Sequence, residues 1–329
     1  MTGFTQIAWE RLPASSLQNS PELRGEWDRL NATRGDLPFL AAEAITLALN
    51  IFGTGNERMM VGRQRATIAA MFMVVPCGYL RWRTFQPSQI PLGAWVAEAS
   101  LPLMDVAHSL GRGSFGFSLS FVVTPVDPLF APRTECADDT AIDDYFETAW
   151  IDVNGNFEDY WNMRGKNLRQ NMRKQRNRLA SEGITGRVRS IVAPSEMFAA
   201  VERYGALESA GWKATRGSAI HCDNTQGSFY RSLLESAAQR GEAVIYEYLF
   251  GDRVVASNLC LKRNRTLFVL KTTYDESIQG YSPAFLLSQE VIQTLYQSNS
   301  ILRIEYYGRV MDWHTKWTEK KRTLYHLTL

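Results

Sequence analysis

Stretches that alternate apolar and polar residues are interleaved along this chain with stretches whose apolar residues recur every three or four positions. These are the periods of a strand and of a helix. Residues 4–12 read as a strand. Ser20-Pro21-Glu22 then opens a helix, with a capping serine, proline at the first helical position and an acid in the first turn. LPFLAAEAITLALNIFG (37–53) is apolar nearly all round, stops at glycine and predicts a buried helix. Strands follow at 58–63, 66–75 and 79–85, and a short helix runs from Ser100 to near Gly111. SFGFSLSFVV (114–123) and TAWIDV (148–153) are strands, separated by a loop at 124–139 that holds three prolines.

Residues 156–183 carry the clearest helical pattern. Asn156 can cap it, and Glu158 and Asp159 suit the positive end of its dipole. Trp161, Leu168, Met172 and Leu179 line one face, and Gly183 follows the end. This helix is expected to link two halves. The second half repeats the order of the first: a strand at 184–192, helices at 195–210 and 226–240, and a hairpin at 242–264 that turns at Gly251-Asp252. A strand at 266–275, a helix from Ser282, a strand at 301–307 and a final strand, TLYHLTL, complete it. No short-period repeat is present, yet helices, a meander, then helix and strand occur in both halves. The expected fold class is α+β, with two related domains in tandem, each a mixed, mainly antiparallel sheet flanked by helices. Their expected limits are 1–155 and 184–329, with 156–183 as a basic linking helix.

YDESIQGYSPAFLLSQEVI (274–292) leaves a strand, crosses a polar turn at Gly280 and enters a helix through Ser282-Pro283. A helix N-terminus just past a central strand offers unpaired N–H groups and partial positive charge, a ready anion site. Pro283 has no N–H, but Ala284 and Phe285 do, and Ser282 adds a hydroxyl. A pyrophosphate fits that cradle; an ordinary capped helix has the same sequence signature.

Composition narrows the classes. With 329 residues, 45 % of them apolar, the chain can bury a substantial core as one large domain or two ordinary ones. A net charge of +2 gives no argument from the total for nucleic-acid or membrane binding. No apolar run reaches ~18 residues, so no membrane span is expected. The start, MTGFTQIAWERL, lacks the pattern of a signal peptide. Cys77, Cys136, Cys222 and Cys260 are widely spaced with no CxxC pair, so no metal site is expected and free thiols in a reducing cytoplasm are.

The order of hairpin, strand, anion-binding turn, helix and strand resembles the Gcn-related N-acetyltransferase (GNAT) fold. More closely, residues 150–310 resemble acetyltransferases associated with cellulose biosynthesis (the CelD/BcsL type). Four segments carry the likeness: LRQNMRKQRNRLASEG (168–183), ESAGWKATRGSAI (208–220), DRVVASNLCL (252–261) and YDESIQGYSPAFLL (274–287). The resemblance implies two GNAT-like domains and acyl-coenzyme A as co-substrate. It implies that Thr272, Thr273, Tyr274, Gln279, Gly280, Ser282, Ala284 and Phe285 bind this donor, and that Glu208, Trp212 and Lys213 line the acceptor site. Two departures stand out. Ala284 replaces the family's usual glycine, narrowing the approach of backbone to phosphate. EYYGRVMDWHTKW (305–317) has glutamate where the family has aspartate, and its tyrosine is shifted or lost.

Acyl transfer from a thioester to an amine needs a neutral amine, a preorganised oxyanion site and alignment of the two substrates. An alkylamine with pKa near ~10.4 is under ~1 % neutral at pH 7, so a proton acceptor is required. Asp275, at the end of the central strand, and Glu305, on the next strand, are the candidate bases, and Tyr281 is the candidate proton donor to the leaving thiolate. Each could equally be a turn cap, a paired charge or a packing ring. His221 and His314 sit in no recognised acid–base spacing and are expected to be structural or exposed. The helical segment 164–178 holds seven basic residues and no acid. Arg169, Arg173, Lys174 and Arg176 could form a solvated face, or meet a coenzyme A phosphate, an acidic glycan, tRNA or an acyl carrier protein. The expected function is a cytoplasmic N-acyltransferase that moves an acyl group from acyl-coenzyme A to a small-molecule or glycan amine in a cleft between the domains. The alternatives are a Fem-type transferase dependent on aminoacyl-tRNA or acyl carrier protein, since that type is built from two similar domains, and a non-catalytic GNAT-like binding module.

Overall fold

The computed structural model describes residues 7–113, 119–133, 140–210, 220–221 and 224–329. The chain opens with β1 (Ala8–Pro13), α1 (Ser16–Asn19), α2 (Pro21–Thr33), α3 (Ala42–Phe52), β2 (Arg58–Gln64), β3 (Thr67–Gly78) and β4 (Arg81–Thr84). It continues through β5 (Trp95–Ala97), α4 (Leu103–Gly113), β6 (Ser120–Val126) and β7 (Ala141–Asp152). The second half holds α5 (Phe157–Asn162), α6 (Lys166–Ser181), β8 (Gly186–Ile191), α7 (Pro194–Ala210), α8 (Thr225–Gln239), β9 (Ala243–Phe250), β10 (Arg253–Arg263) and β11 (Thr266–Tyr274). α9 (Pro283–Ser298), β12 (Arg303–Glu305) and β13 (Lys321–Thr328) end it.

The chain divides into two compact units, Met1–Glu147 with Arg322–Leu329, and Thr148–Lys321. Strands in the first unit run in the order β1-β2-β3-β4-β6-β13, and in the second β8-β9-β10-β11-β12-β7. Neighbours are antiparallel except for one parallel step in each, β4 with β6 and β11 with β12. Both units are therefore built on one plan, a mostly antiparallel sheet with helices packed on it. The sixth strand in each case comes from the other half of the sequence: β13 pairs with β6, and residues 150–152 of β7 pair with β12.

In the second unit, α6 and α9 cover one sheet face. Leu168, Met172, Leu286 and Val291 are buried there with Tyr246, Tyr248, Cys260 and Val269. Successive strand residues point to opposite faces. Ile245, Leu249 and Leu259 accordingly turn the other way and are fully buried under α7 and α8, whose Val201, Tyr204, Phe229 and Tyr230 are buried as well.

Several expectations are revised. The helix foreseen at 156–183 is two helices, broken where Gly165 adopts an extended conformation at the start of α6. It does not link the halves, because Phe157, Tyr160, Leu168 and Leu179 belong to the core of the second unit. The boundary falls at 147/148, and the final strand completes the first unit because its register partner is β6. The buried helix at 37–53 starts only at Ala42, after a 3-10 turn at Pro38–Leu40. β6 runs to Val126, into the expected loop, and β12 ends at Glu305, beyond which Tyr307 has a positive φ of 39°. Among the described residues no helix is long and apolar enough to cross a membrane.

Candidate functional site

β11 outruns its parallel neighbour. Thr266–Phe268 pair with Arg303–Glu305, and the ladder then stops, whereas pairing of β11 with β10 continues to Tyr274. Residues 269–274 thus face a gap on the β12 side. The pleat sorts them: Thr272 and Tyr274 open into a cavity with Asn258 of β10, whereas Thr273 points to the opposite face and is 8 % exposed. The cavity holds about 280 Å³, near the lower end of the ~300–1,000 Å³ common for small-molecule sites. Its floor is the start of α9, from Ser282 to Phe285 and on to Ser288, with Gln279 at the lip.

Trp313 and Trp317 close the far side. Trp317 stacks on Phe285 at 5.8 Å and on Trp161 at 6.2 Å. Its carbonyl accepts from the Tyr160 hydroxyl and from Arg164 Nη1, both at 2.8 Å, which holds this wall in place. A wider depression of about 570 Å³ shares Phe285 and is lined by Arg164, Lys166 and Lys316.

The anion cradle at the α9 start is leaner than its sequence suggests. The Phe285 amide donates to the Ser282 carbonyl at 3.0 Å, as does that of Leu286 at 3.1 Å, so Phe285 has no amide to offer. Among the described residues no backbone carbonyl accepts the Ala284 amide. Ser282 itself sits in the left-handed region (φ 52°), which places its carbonyl to close the first turn. Its hydroxyl does not cap α9; it accepts from Asn171 Nδ2 at 3.2 Å.

The remaining candidates lie apart from the cavity. Asp275 is paired with Arg253 and accepts from the Ser277 amide at 3.0 Å and hydroxyl at 2.6 Å. Burial opposes its ionisation, but the Ser277 hydrogen bonds and the Arg253 charge outweigh it and hold the carboxyl below the usual range. Tyr281 donates to Glu182 at 2.7 Å, a bond that raises its phenol above the ordinary value. Glu305 is 2 % exposed and 3.0 Å from Arg303 Nε. Glu208 is turned inward, accepting from the Tyr204 hydroxyl at 3.1 Å and the Ile220 amide at 2.6 Å, and so braces the fold rather than facing the cavity. Trp212 and Lys213 lie outside the described residues. His314 is buried, its Nδ1 accepts from the Met311 amide at 3.0 Å, and burial lowers its pKa to about 4.

Of the basic face, Arg176 donates to Glu290 and Gln289, and Arg169 to the Arg164 carbonyl. Arg173 and Lys174 are exposed. Asn258, Ser288, Trp313 and Trp317 were not foreseen. Strand alternation across a hairpin register could have found Asn258, opposite Thr272.

The first unit differs at the corresponding corner. The turn before α4 presents carbonyls, not amides. Arg34 donates from Nε to Ala97 at 2.9 Å, from Nη1 to Phe130 at 2.7 Å, and from Nη2 to Glu98 at 2.9 Å and to Leu101. A cation occupies this corner, and the cavity beside it holds about 30 Å³.

Residues 166–315 match the family model described as the acetyltransferase (GNAT) domain. The match lies within the second unit and covers 150 of the 329 residues, and the two units share one strand plan, so the fold is a tandem of GNAT-like units. Among solved structures, the chain is similar to the C-terminal domain of a lysylphosphatidylglycerol synthetase from Agrobacterium fabrum, at 14 % identity, TM-score 0.54 and 92 % of each chain. It is similar to a conserved protein of unknown function from Bacteroides thetaiotaomicron, at 12 % identity, TM-score 0.54, 98 % of this chain and 99 % of that. A tandem GNAT protein from the clavulanic acid biosynthesis pathway aligns at 14 % identity and TM-score 0.48, over 97 % of this chain and 98 % of that. No curated protein matches.

Proposed function

We propose that the chain is an N-acyltransferase that uses acyl-coenzyme A and an amine acceptor, with the donor held by the second unit. The observation that carries the reading is the open corner where β11 outruns β12 beside the start of α9, with a cavity lined by Thr272 and Ala284. A pantetheine arm fits along Thr272, Tyr274 and Asn258, and its amides have the hydroxyl and carboxamide groups there to bond with. The phosphates fall at Ser282 and the Ala284 amide. The first unit supports this choice by contrast, since Arg34 fills its corner.

Acyl-coenzyme A brings the activated acyl group. The β11 edge supplies backbone donors for the oxyanion. The amine nitrogen attacks the thioester carbonyl, a C–N bond forms, the C–S bond breaks, and the amine proton passes to a base while the thiolate leaves. Asp275 and Glu305 are the candidate bases; each is paired with an arginine and lies apart from the cavity, so either takes the proton through water. Calorimetric titration with coenzyme A tests the reading: saturable binding with one site per chain supports it, and no binding at millimolar ligand refutes it.

Exposed Arg173 and Lys174 on α6 favour a second reading, a Fem-type transferase that recruits a tRNA. It requires RNA binding that weakens with salt and is lost on Arg173→Glu with Lys174→Glu; indifference to RNA removes it.

A further inference from the structure

The start of α9 is poor in backbone donors for an anion. Pro283 has none, the amides of Phe285 and Leu286 close on Ser282, that of Ser282 closes on Gln279, and the Ala284 amide is accepted by no backbone carbonyl among the described residues. A diphosphate carries at least two charges and needs more than one donor. The missing groups stand on α6. Asn171, Gln175 and Arg178 are spaced i, i+4 and i+7, which places them on one stripe of the helix.

That stripe faces the turn. Asn171 donates to the Ser282 hydroxyl at 3.2 Å, and buried Gln175 donates to Asn171 Oδ1 at 3.0 Å. Because the Ser282 oxygen accepts from Asn171, its own proton is left to donate elsewhere, and Ser282 lines the cavity. Arg178 lies with its guanidinium 3.8 Å above the Tyr281 ring, while Glu182 holds Nε at 2.9 Å. A Cβ placed on Gly280 would sit 3.8 Å from Arg178 Nη1, so the cation rests directly beside the glycine of the turn.

Resting on the donor reading above, we infer that α6 forms a side-chain clamp for the diphosphate, adding to the few amides that the α9 start offers. Arg178 supplies the charge and Ser282 a hydroxyl proton. Asn171 and Gln175 are positioning residues that fix the orientation of that hydroxyl. The clamp selects donors with a full diphosphate over those that end in pantetheine, and gives part of the basic helix a task apart from solvation.

The test is calorimetric binding of two probes, coenzyme A and pantetheine, to the full chain, its Arg178→Gln variant and its Asn171→Leu variant. Arg178 is on the surface, so Arg178→Gln keeps the fold. A charge-assisted hydrogen bond lost to solvent weakens coenzyme A by at least about tenfold in Arg178→Gln. Asn171→Leu weakens it less, and pantetheine binds all three proteins equally. If the wild type binds coenzyme A and Arg178→Gln binds it as tightly, the clamp is wrong while the donor reading stands. Equal weakening of both probes also overturns it, because that marks a general loss of structure. If the wild type binds no coenzyme A, the donor reading falls and the clamp with it.

Discussion

Replacing Ala284 by aspartate separates binding from folding at the α9 start. A phosphate bonded to the Ala284 amide at about 2.9 Å would lie within about 5 Å of the new carboxylate. At an effective dielectric of about 20, repulsion between unit charges at that distance is about 3 kcal/mol, more than a hundredfold in affinity. The same carboxylate, in the first turn of a helix, stabilises the empty protein by about 0.3–1 kcal/mol through the helix dipole. The two effects have opposite signs, so a folding defect cannot mimic the result. The assay is thermal unfolding with and without coenzyme A. Ligand at a hundred times its Kd adds about 2.7 kcal/mol. A unit of this size gains about 2–4 °C per kcal/mol, so the wild-type shift is about 5–10 °C. Ala284→Asp should keep or raise the ligand-free midpoint and lose the shift; Ala284→Gly should keep the shift. An undiminished shift in Ala284→Asp would place the phosphates elsewhere and refute the assignment of this corner.

Three further outcomes are expected. Asp127→Ala removes a buried carboxylate partner of Arg322, whose side chain is 10 % exposed and bonded to Asp127 at 2.6–3.0 Å; stability to urea should fall by up to about 3–5 kcal/mol, and Asp127→Leu with Arg322→Met should recover much of it. Burial lowers the His314 pKa to about 4, below an unfolded value near 6.5, so its neutral form adds stability above about pH 6.5 that is lost as pH falls toward 4. His314→Gln should flatten that part of the urea-midpoint profile, and parallel profiles would contradict the assignment. Exposed Cys77 should react at once with a thiol reagent, whereas Cys260, fully buried and with its thiol pushed up by burial, should react only on unfolding; rapid native labelling of Cys260 would show the core to be open.

The parts of the site legible in the sequence were those set by local chemistry. Ser282-Pro283 marked a helix start because proline suits the first helical position, and α9 does begin there. The role of the Ser282 hydroxyl was not legible, since its partner Asn171 is 111 residues away. Thr272, Thr273 and Tyr274 were grouped as one edge, yet the pleat sends Thr273 to the opposite face. The partners of Asp275 and Tyr281 are not legible, because Arg253 and Glu182 meet them only in three dimensions. Trp313 and Trp317 reach the cavity by a long irregular return of the chain, which no periodicity reports. The repeated strand plan was visible as a repeated order of elements. The exchange of sixth strands was not, because TLYHLTL has the pattern of any terminal strand, and only register assigns it to β6.

That exchange sets a timetable for biosynthesis. The first unit waits for residues 322–329 while the ribosome makes the 174 residues Thr148–Lys321. At about 5–20 residues per second this is roughly 9–35 s. Until then β6 presents an unzipped margin on the nascent polypeptide, able to recruit a wrong strand from a neighbouring chain. Slow translation or a stalled ribosome should therefore harm the early-made half of this protein more than the late one, and folding helpers should be found holding it.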